Sequence, residues 1–298
     1  MRHAKALVGL AMFTGALMAS GAAFATPVFT VTPTAIPGDT ATNPVQASDI
    51  NVFSDSLINQ TGAAQQTETG WATAQSLSNN GVLLPASLTG LNSYGLYFTY
   101  TAVVNGISGF GAGQIGTIGA GNGTSGSGFG LTLFADIGNN DVFNPGATGP
   151  AGGTAPFITG TGNDIVLAVL TSQSGSAGFQ QTTGAPTINA LENFVICDGT
   201  TNQGELGGQV ITGGIATGCG TFDALNYFTV PTPFYSISLI SATAGSANNL
   251  FVDAADGNAT LNSVVADVNF VPEPLTISLF GAGLIGVGAL RRRKAKKA

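Results

Sequence analysis

The chain has 298 residues, of which 44 are glycine and only 8 % are charged, about a third of the charged fraction of an average soluble protein. All eight Lys and Arg residues lie in the first five or the last eight positions and the single histidine is His3, so residues 26–271 hold fourteen acidic side chains and no basic one. This distribution excludes catalytic sites built on His, Lys or Arg, histidine-ligated zinc and nucleic acid as a partner, because phosphate binding depends on Lys and Arg.

Residues 1–25 are typical of a secretory signal peptide. A positively charged start precedes the apolar run Ala6–Met18, and Ala23 and Ala25 form a small-x-small cleavage site that leaves Thr26 as the first residue of the exported chain. The alternative is an uncleaved membrane helix. It is disfavoured because thirteen residues extend only about 20 Å as a helix, whereas the hydrocarbon layer is about 30 Å thick.

Residues 26–270 have the pattern of an all-β domain. Short apolar runs alternate there with Gly, Asn, Pro and Thr, and helical periodicity is scarce. We expect a single β-sandwich-like domain of the jelly-roll type. Its clearest predicted strands are rich in β-branched and aromatic residues; they are 96–104, 129–135, 165–170, 234–240 and 261–270.

Two stretches of this domain depart from the strand pattern. Ala47–Ser78 is poor in glycine and carries Trp71, and it is the one candidate helix of the domain. Gly106–Gly128 is the most glycine-dense part, and we expect a flexible loop there. Asn-Gly pairs at positions 80, 105 and 122 predict tight turns.

Acidic groupings are candidates for calcium, the one cofactor that the sequence leaves open, because Ca²⁺ takes carboxylate and amide oxygens as ligands. The three groupings are Asp136 with Asn139, Asn140 and Asp141; Asn163 with Asp164; and Asp253 with Asp256 and Asn258. None of them matches the helix-flanked calcium loop that ends in a glutamate. The alternative is that all three are solvated turns, which Asp and Asn also favour.

Cys197 and Cys219 are the only cysteines. In an exported protein they predict one disulfide, which at this spacing would contribute about 3 kcal/mol of stability. Two free thiols are the alternative, and a metal site with two cysteines and no histidine is disfavoured.

The end of the chain, residues 271–298, has three parts. The rigid motif Pro272-Glu273-Pro274 prevents a strand from continuing, and the uncharged run 275–290 would extend about 24 Å as a transmembrane helix. A basic tail follows and predicts a cytoplasmic C-terminus. It begins with Arg291, Arg292, Arg293 and Lys294. A lipid-replaced tail is disfavoured because its signal is a hydrophobic tail without such cations.

This combination resembles the PEP-CTERM sorting signal of Gram-negative bacteria. The resemblance covers 271–297 and is carried by the Pro-Glu-Pro motif, the short glycine-rich apolar segment and the arginine cluster. It implies recognition by an exosortase, transient anchoring in the inner membrane and cutting near Pro272–Pro274. Proteins with this signal are associated with exopolysaccharide production.

The exported region is also similar, more weakly, to the flocculation-associated group of PEP-CTERM proteins. The stretches that carry this similarity are LYFTY, SGFGLTLFADIGNNDVF and the pair NFVIC and GCGTF. It implies a non-catalytic protein of the cell surface or extracellular matrix that aggregates cells by association with exopolysaccharide or with neighbouring cells. The net negative charge would keep such a chain from pairing too early, and screening by cations would then allow assembly.

Two other functions remain open. A carbohydrate-binding module would use an aromatic platform, although Tyr and Trp also fill cores; its candidates are Trp71, Tyr94, Tyr97, Tyr100, Tyr227 and Tyr235. A glycosidase needs only two carboxylates, and the candidate glutamates are Glu68, Glu192 and Glu205. It is disfavoured because tuned catalytic pairs usually need supporting groups that this chain lacks.

Overall fold

The computed structural model describes residues 27–271 except 40, 42, 124–126, 182 and 244–249. The predicted signal peptide, sorting motif, membrane segment and basic tail lie outside the described residues. Within the described residues, no helix has the length and apolar character needed to cross a membrane. The processing residues that fall outside are Ala23, Ala25, Thr26, Pro272, Glu273, Pro274, Arg291, Arg292, Arg293 and Lys294.

Strands make up nearly all the regular structure of the described part of the chain, so the all-β class is confirmed. One short α-helix, α1, spans Ala86–Thr89, and 3-10 turns lie at Pro33–Ala35, Pro150–Gly152, Thr161–Asn163, Gly214–Ala216 and Ala224–Asn226. The strands are β1 (Phe29–Val31), β2 (Val45–Ala47), β3 (Asp49–Gly62), β4 (Gln65–Asn79), β5 (Val82–Leu83), β6 (Tyr94–Asn105), β7 (Ile115–Ile118), β8 (Gly128–Ile137), β9 (Val142–Asn144), β10 (Phe157–Thr159), β11 (Ile165–Phe179), β12 (Pro186–Cys197), β13 (Gln203–Leu206), β14 (Gln209–Thr212), β15 (Phe228–Val230), β16 (Ile237–Thr243), β17 (Leu250–Asp253) and β18 (Asn258–Val271).

Eight of the described strands form a closed antiparallel ring. β3 pairs with β4, and the path continues through β6, β8, β11, β12, β16 and β18. β18 then pairs back with β3, so each member of the ring has a partner on both sides. β7 completes the wall beyond the end of β8, because it pairs with both β6 and β11.

The connectivity of the ring differs from that of the jelly roll that the sequence favours. A jelly roll contains two Greek keys, in which some successive strands are separated in space. Here each ring strand lies beside the ring strand that precedes it in the sequence. The connections are either hairpins or longer segments that lead back to the neighbouring position in the ring. The sheet still encloses one apolar core, as the all-β prediction requires.

The prediction of a helix at Ala47–Ser78 is wrong, because this stretch forms most of the β3–β4 hairpin. Ile50 and Val52 are buried while Asn51 and Phe53 are partly exposed. This alternation has the period of two that places successive side chains on opposite faces of a strand. A low glycine content is compatible with long strands as well as with helices.

The other strand predictions largely agree with the structure. Four of the five predicted strands lie within β6, β8, β11 and β18, whereas the run 234–240 is a strand only from Ile237. The predicted loop at 106–128 contains β7. Asn80 and Gly81 have φ values of 50° and 78°, as the predicted tight turn requires.

Aromatic side chains fill one end of the ring. Phe194 of β12 and Phe270 of β18 lie 4.8 Å apart between ring centroids. Phe29 contacts Phe270 at the same distance, and Phe228 lies 5.6 Å from Phe194. Phe29 and Phe228 come from the small sheet β15–β1–β2, which therefore packs against this end.

The segment 106–114 lies at the opposite end. Its Ile107 is 1 % exposed. The Gln60 and Gln66 amides donate to the carbonyls of Ile107 and Gly109 at 3.2 and 3.0 Å. The interior of the ring is therefore covered at both ends.

The predicted disulfide between Cys197 and Cys219 is confirmed, with 5.2 Å between the Cα atoms. Both cysteines are buried and pack against Val169. The bond joins the end of β12 to the connection that follows the β13–β14 hairpin.

Candidate functional site

Three aspartates meet where β8 ends and β11 begins. Asp136 belongs to β8, Asp141 precedes β9 and Asp164 precedes β11. One carboxylate oxygen from each lies within 4.8 Å of those of the other two. Two acidic groupings that the sequence presents separately therefore form one cluster, which we call the acidic cluster.

The carboxylates of the acidic cluster are poorly satisfied by the protein itself. The backbone N–H groups of Asn140 and Asp141 each donate to Asp136 at 3.1 Å, and the Tyr97 hydroxyl donates to Asp164 Oδ2. Both oxygens of Asp141 and Oδ1 of Asp164 are buried without a hydrogen-bond partner among the described residues. Buried polar atoms are normally paired, so these three oxygens are available to a ligand.

The electrostatics of the acidic cluster are those of uncompensated negative charge. Burial, together with the charges of Asp164 and Asp136, raises the pKa of Asp141 to about 7. The sequence has no Lys or Arg from residue 6 to residue 290, so the folded domain has no cationic side chain to offer. A proton on Asp141 or a bound cation would reduce this charge, and carboxylate oxygens are ligands that Ca²⁺ prefers.

The third predicted calcium grouping does not join the other two. Asp253 Oδ1 accepts the backbone N–H groups of Ala255 and Asp256 at 3.2 and 3.3 Å. The side chain of Asn258 is bonded instead to the backbone of Gly149. Asp253 therefore stabilises the turn between β17 and β18, as the alternative interpretation holds.

A cleft of about 400 Å³ lies beside the acidic cluster, on the outer face of β4, β6 and β8. Its walls carry aromatic rings, hydroxyl groups and one carboxylate; among them are Thr69, Trp71, Tyr97, Thr99, Phe157 and Asp164. Trp71 and Tyr97 are only 5 % and 2 % exposed, whereas Phe157 is 50 % exposed. We call this feature the outer cleft.

The β9–β10 hairpin holds the two aromatic rings of the outer cleft in place. Phe143 of β9 lies 5.1 Å from Trp71 and 5.3 Å from Tyr97 between ring centroids. The Trp71 indole donates to the carbonyl of Asn144 at 2.9 Å, and Tyr97 stacks on Phe134 at 4.9 Å. Three of the six predicted aromatic candidates, Trp71, Tyr97 and Tyr100, therefore line one cleft.

The other three aromatic candidates are structural, whereas Tyr100 also faces the inside of the ring. Tyr94 and Tyr227 bond to each other through their hydroxyls at 3.0 Å and are fully buried. The Tyr235 hydroxyl donates to the carbonyl of Val28 at 3.1 Å. Tyr100 lines a cavity in the interior of the ring.

This internal cavity has a volume of about 70 Å³. Glu68 lines it, and Glu68 Oε1 accepts from Ser56 Oγ at 2.7 Å and from the Tyr100 hydroxyl at 3.4 Å. Gly70 makes this contact sterically feasible, since a Cβ there would lie 2.8 Å from Cζ of Tyr100. Burial raises the pKa of Glu68 above its ordinary value.

The other two candidate glutamates lie apart from this cavity. Glu192 of β12 is 0 % exposed and faces Ser238 across the β12–β16 pair. Its carboxylate oxygens have no hydrogen-bond partner among the described residues, and burial raises its pKa to about 9. Glu205 belongs to β13, outside the ring. Local sequence patterns did not predict β4 and β12 as long strands. Had they done so, the alternation of side chains along each strand would have indicated that Glu68 and Glu192 point into the ring.

No protein-family model, curated protein or solved structure matches this chain. Any functional conclusion therefore depends on the residues and motifs described above.

Proposed function

We propose that this protein is an exported, non-catalytic component of the cell surface or extracellular matrix of a Gram-negative bacterium. It is anchored transiently in the inner membrane, processed by an exosortase near Pro272–Pro274, and promotes cell aggregation by association with exopolysaccharide. The observation that carries the proposal is the Pro-Glu-Pro motif followed by an apolar run and a basic tail.

The chemistry of the outer surface supports association with polysaccharide. The outward positions of β4 carry hydroxyl and amide side chains, among them Thr67, Thr69, Thr73 and Gln75. Such groups donate and accept hydrogen bonds, as sugar hydroxyls also do. Many weak contacts of this kind would hold a polymer without a single deep site.

The alternative of a carbohydrate-binding module with a defined site is favoured by the outer cleft. Aromatic rings, threonine hydroxyls and the Asp164 carboxylate face one volume there, a combination of apolar walls and a few polar groups that is typical of small-molecule sites. Phe157 is the exposed ring through which a sugar would make contact.

A glycosidase is a weaker alternative. Glu68 and Glu192 lie on the inner face of the ring, and the cavity beside Glu68 measures about 70 Å³. At about 10–15 Å³ per water, it holds roughly five to seven water molecules, which is less space than a hexose needs. The size of the cavity therefore disfavours a sugar residue beside the carboxylate of Glu68.

Calcium is proposed as the ligand of the acidic cluster. Support comes from three buried carboxylate oxygens without partners and from the lack of any cationic side chain between residues 6 and 290. Bound Ca²⁺ would join the ends of β8 and β11 to the turn before β9, and it would stabilise the wall of the adjacent outer cleft.

Gene deletion and complementation test the proposed function. Deletion should abolish aggregation, and the wild-type gene should restore it. The double variant Pro272→Ala, Pro274→Ala should stay in the inner membrane fraction and fail to restore aggregation, whereas Pro37→Ala, at an exposed turn, should behave as wild type. Full aggregation by the double variant would contradict the sorting proposal.

A further arm of the same experiment separates the two modes of polysaccharide binding. Phe157→Ala should be exported normally. If the outer cleft is a defined site, this variant should not aggregate cells; if adhesion is spread over the surface, it should aggregate them as wild type does.

A further inference from the structure

The internal cavity has a polar side and an apolar side. Ser54 of β3, Glu68 of β4 and Tyr100 of β6 form the polar part of one side, beside several apolar side chains of the same strands. β11, β12 and β16 lie across the ring from these strands, as the order of pairing requires. They contribute apolar side chains, among them Phe179, Ile188 and Ile240.

The polar side is held in position before any ligand arrives. Ser56 and Tyr100 both donate to Oε1 of Glu68. Tyr100 is fixed in turn by Phe129, whose ring centroid lies 5.8 Å away in an edge-on contact. The carboxyl group of Glu68 therefore has a defined direction within a wall that is otherwise largely apolar.

No side chain of the folded domain can supply a positive charge to Glu68, because the sequence has no Lys or Arg between residues 6 and 290. The hydrogen bonds from Ser56 and Tyr100 leave a Glu68 carboxylate without a compensating charge, which is unfavourable in a buried position. An ammonium group would supply both that charge and hydrogen bonds. Anionic ligands would meet a carboxyl group and no cation.

We propose that the interior of the ring binds a small primary amine, with its ammonium group on Glu68 and its apolar body against β11, β12 and β16. The cavity volume of about 70 Å³ accommodates roughly five to seven waters, so a ligand with a similar number of non-hydrogen atoms fits. This binding site is distinct from the acidic cluster, shares Tyr100 with the lining of the outer cleft, and does not depend on the proposed function.

Local opening of the segment 106–114 would give a ligand access to the internal cavity. It contributes Ile107 to the cavity wall. Gly106 N–H donates to Ala64 O at 2.8 Å, and the Gln60 and Gln66 side-chain amides donate to backbone carbonyls of the segment. Four of its nine residues are glycine, a composition that lowers the barrier to local opening.

Calorimetric titration of the mature protein at pH 7 with n-butylamine, n-butanol and n-butyrate tests the proposal. We expect n-butylamine to bind at least tenfold more tightly than n-butanol, which has the same size, and n-butyrate to show no binding. Glu68→Gln should lower the affinity for n-butylamine at least tenfold and leave that for n-butanol unchanged. Glu205→Gln, outside the ring, should change neither.

Two further variants keep the result interpretable. Ala242→Leu narrows the apolar wall and should weaken the amine and the alcohol together, even if Glu68→Gln does not fold. Asp164→Asn should leave amine binding unchanged, because the acidic cluster is the rival site for an ammonium group. Equal affinities for amine and alcohol, an unchanged amine affinity in Glu68→Gln, or loss of binding in Asp164→Asn would overturn the proposal.

Discussion

Glu192 is an ionisable side chain enclosed by an apolar core. Both strands beside it place a serine opposite its backbone, Ser172 on β11 and Ser238 on β16, yet its carboxylate oxygens and Ser238 Oγ lack hydrogen-bond partners among the described residues. A charged form would be strongly disfavoured there. The protonated acid is therefore the form that the fold accepts at neutral pH.

This burial makes stability depend on pH. The pKa of Glu192 is raised to about 9 in the folded chain from about 4.3 in the unfolded chain. The folded state thus keeps a proton that the unfolded state has lost, so the contribution of Glu192 to stability is fully present below about pH 4 and is lost as pH rises toward about 9. We expect Glu192→Gln to flatten the decline in melting temperature between pH 5 and pH 9, measured by circular dichroism.

Glu205→Gln provides the matched control for this measurement, because Glu205 is partly exposed on β13. Its profile should follow that of wild type. A Glu192→Gln protein that loses stability with rising pH as steeply as wild type would contradict the buried position of the carboxyl group.

The element that carries most of the candidate site is the excursion between β8 and β11. It contains the β9–β10 hairpin, which packs Phe143 against Trp71 and Tyr97. Farther along, Asn258 and Gly149 exchange two hydrogen bonds at 2.8 and 3.2 Å. The acidic cluster lies at the two ends of this excursion, where it leaves β8 and rejoins the ring at β11. A ligand bound there would therefore stabilise the whole segment.

Calcium binding should therefore be visible as stabilisation. At a Ca²⁺ concentration of about 100 times Kd, binding adds about 2.7 kcal/mol, which corresponds to a rise in melting temperature of about 5 to 10 °C for a domain of this size. Asp141→Asn and Asp164→Asn should reduce this shift, whereas Asp256→Asn, on the exposed β17–β18 turn, should retain it. Amide exchange across 139–161 should slow when calcium is added. An equal calcium response in wild type and Asp164→Asn would place the ion elsewhere.

Local patterns predicted the strands better than their pairing. Runs of β-branched and aromatic residues indicated β6, β8, β11 and β18, because that signal is contained within each run. Ring closure depends on the pairing of β18 with β3, whose partners Asn258 and Asn59 are remote in sequence. The acidic cluster shows the same division: Asp136 and Asp164 become neighbours because Ala135 pairs with Ile165, and no local pattern contains that pairing.

At the scale of the whole molecule, charge and unpaired edges decide whether copies associate. Residues 26–271 carry fourteen acidic side chains and no basic one, so copies of the folded domain repel each other at low ionic strength. Ring closure removes most free edges. Several edge strands remain among the described residues, since β5 pairs with β4 alone, β14 with β13 alone and β17 with β18 alone. Phe251 of β17 is 53 % exposed.

Salt should therefore promote self-association of the mature protein. The Debye length falls from about 30 Å at 0.01 M to about 3 Å at 1 M, so light scattering should increase with NaCl and with millimolar Ca²⁺. Phe251→Lys should suppress the increase by charging the free edge of β17. Leu88→Lys adds the same charge on α1, where Leu88 is 52 % exposed, and should not. Constant scattering of the wild-type protein with both salts would rule out assembly by screening.

The position of β18 has a consequence for the time at which the domain becomes folded. Its partners in the ring are β16 and β3. One edge of β3, the first long strand of the chain, therefore stays unpaired until β18, the last strand, is available. A chain that crosses a membrane from its N-terminus onward would emerge with an incomplete wall. For a chain exported as proposed, closure of the ring would therefore follow translocation, and a periplasmic chaperone would meet β3 while the edge that pairs with β18 is still open.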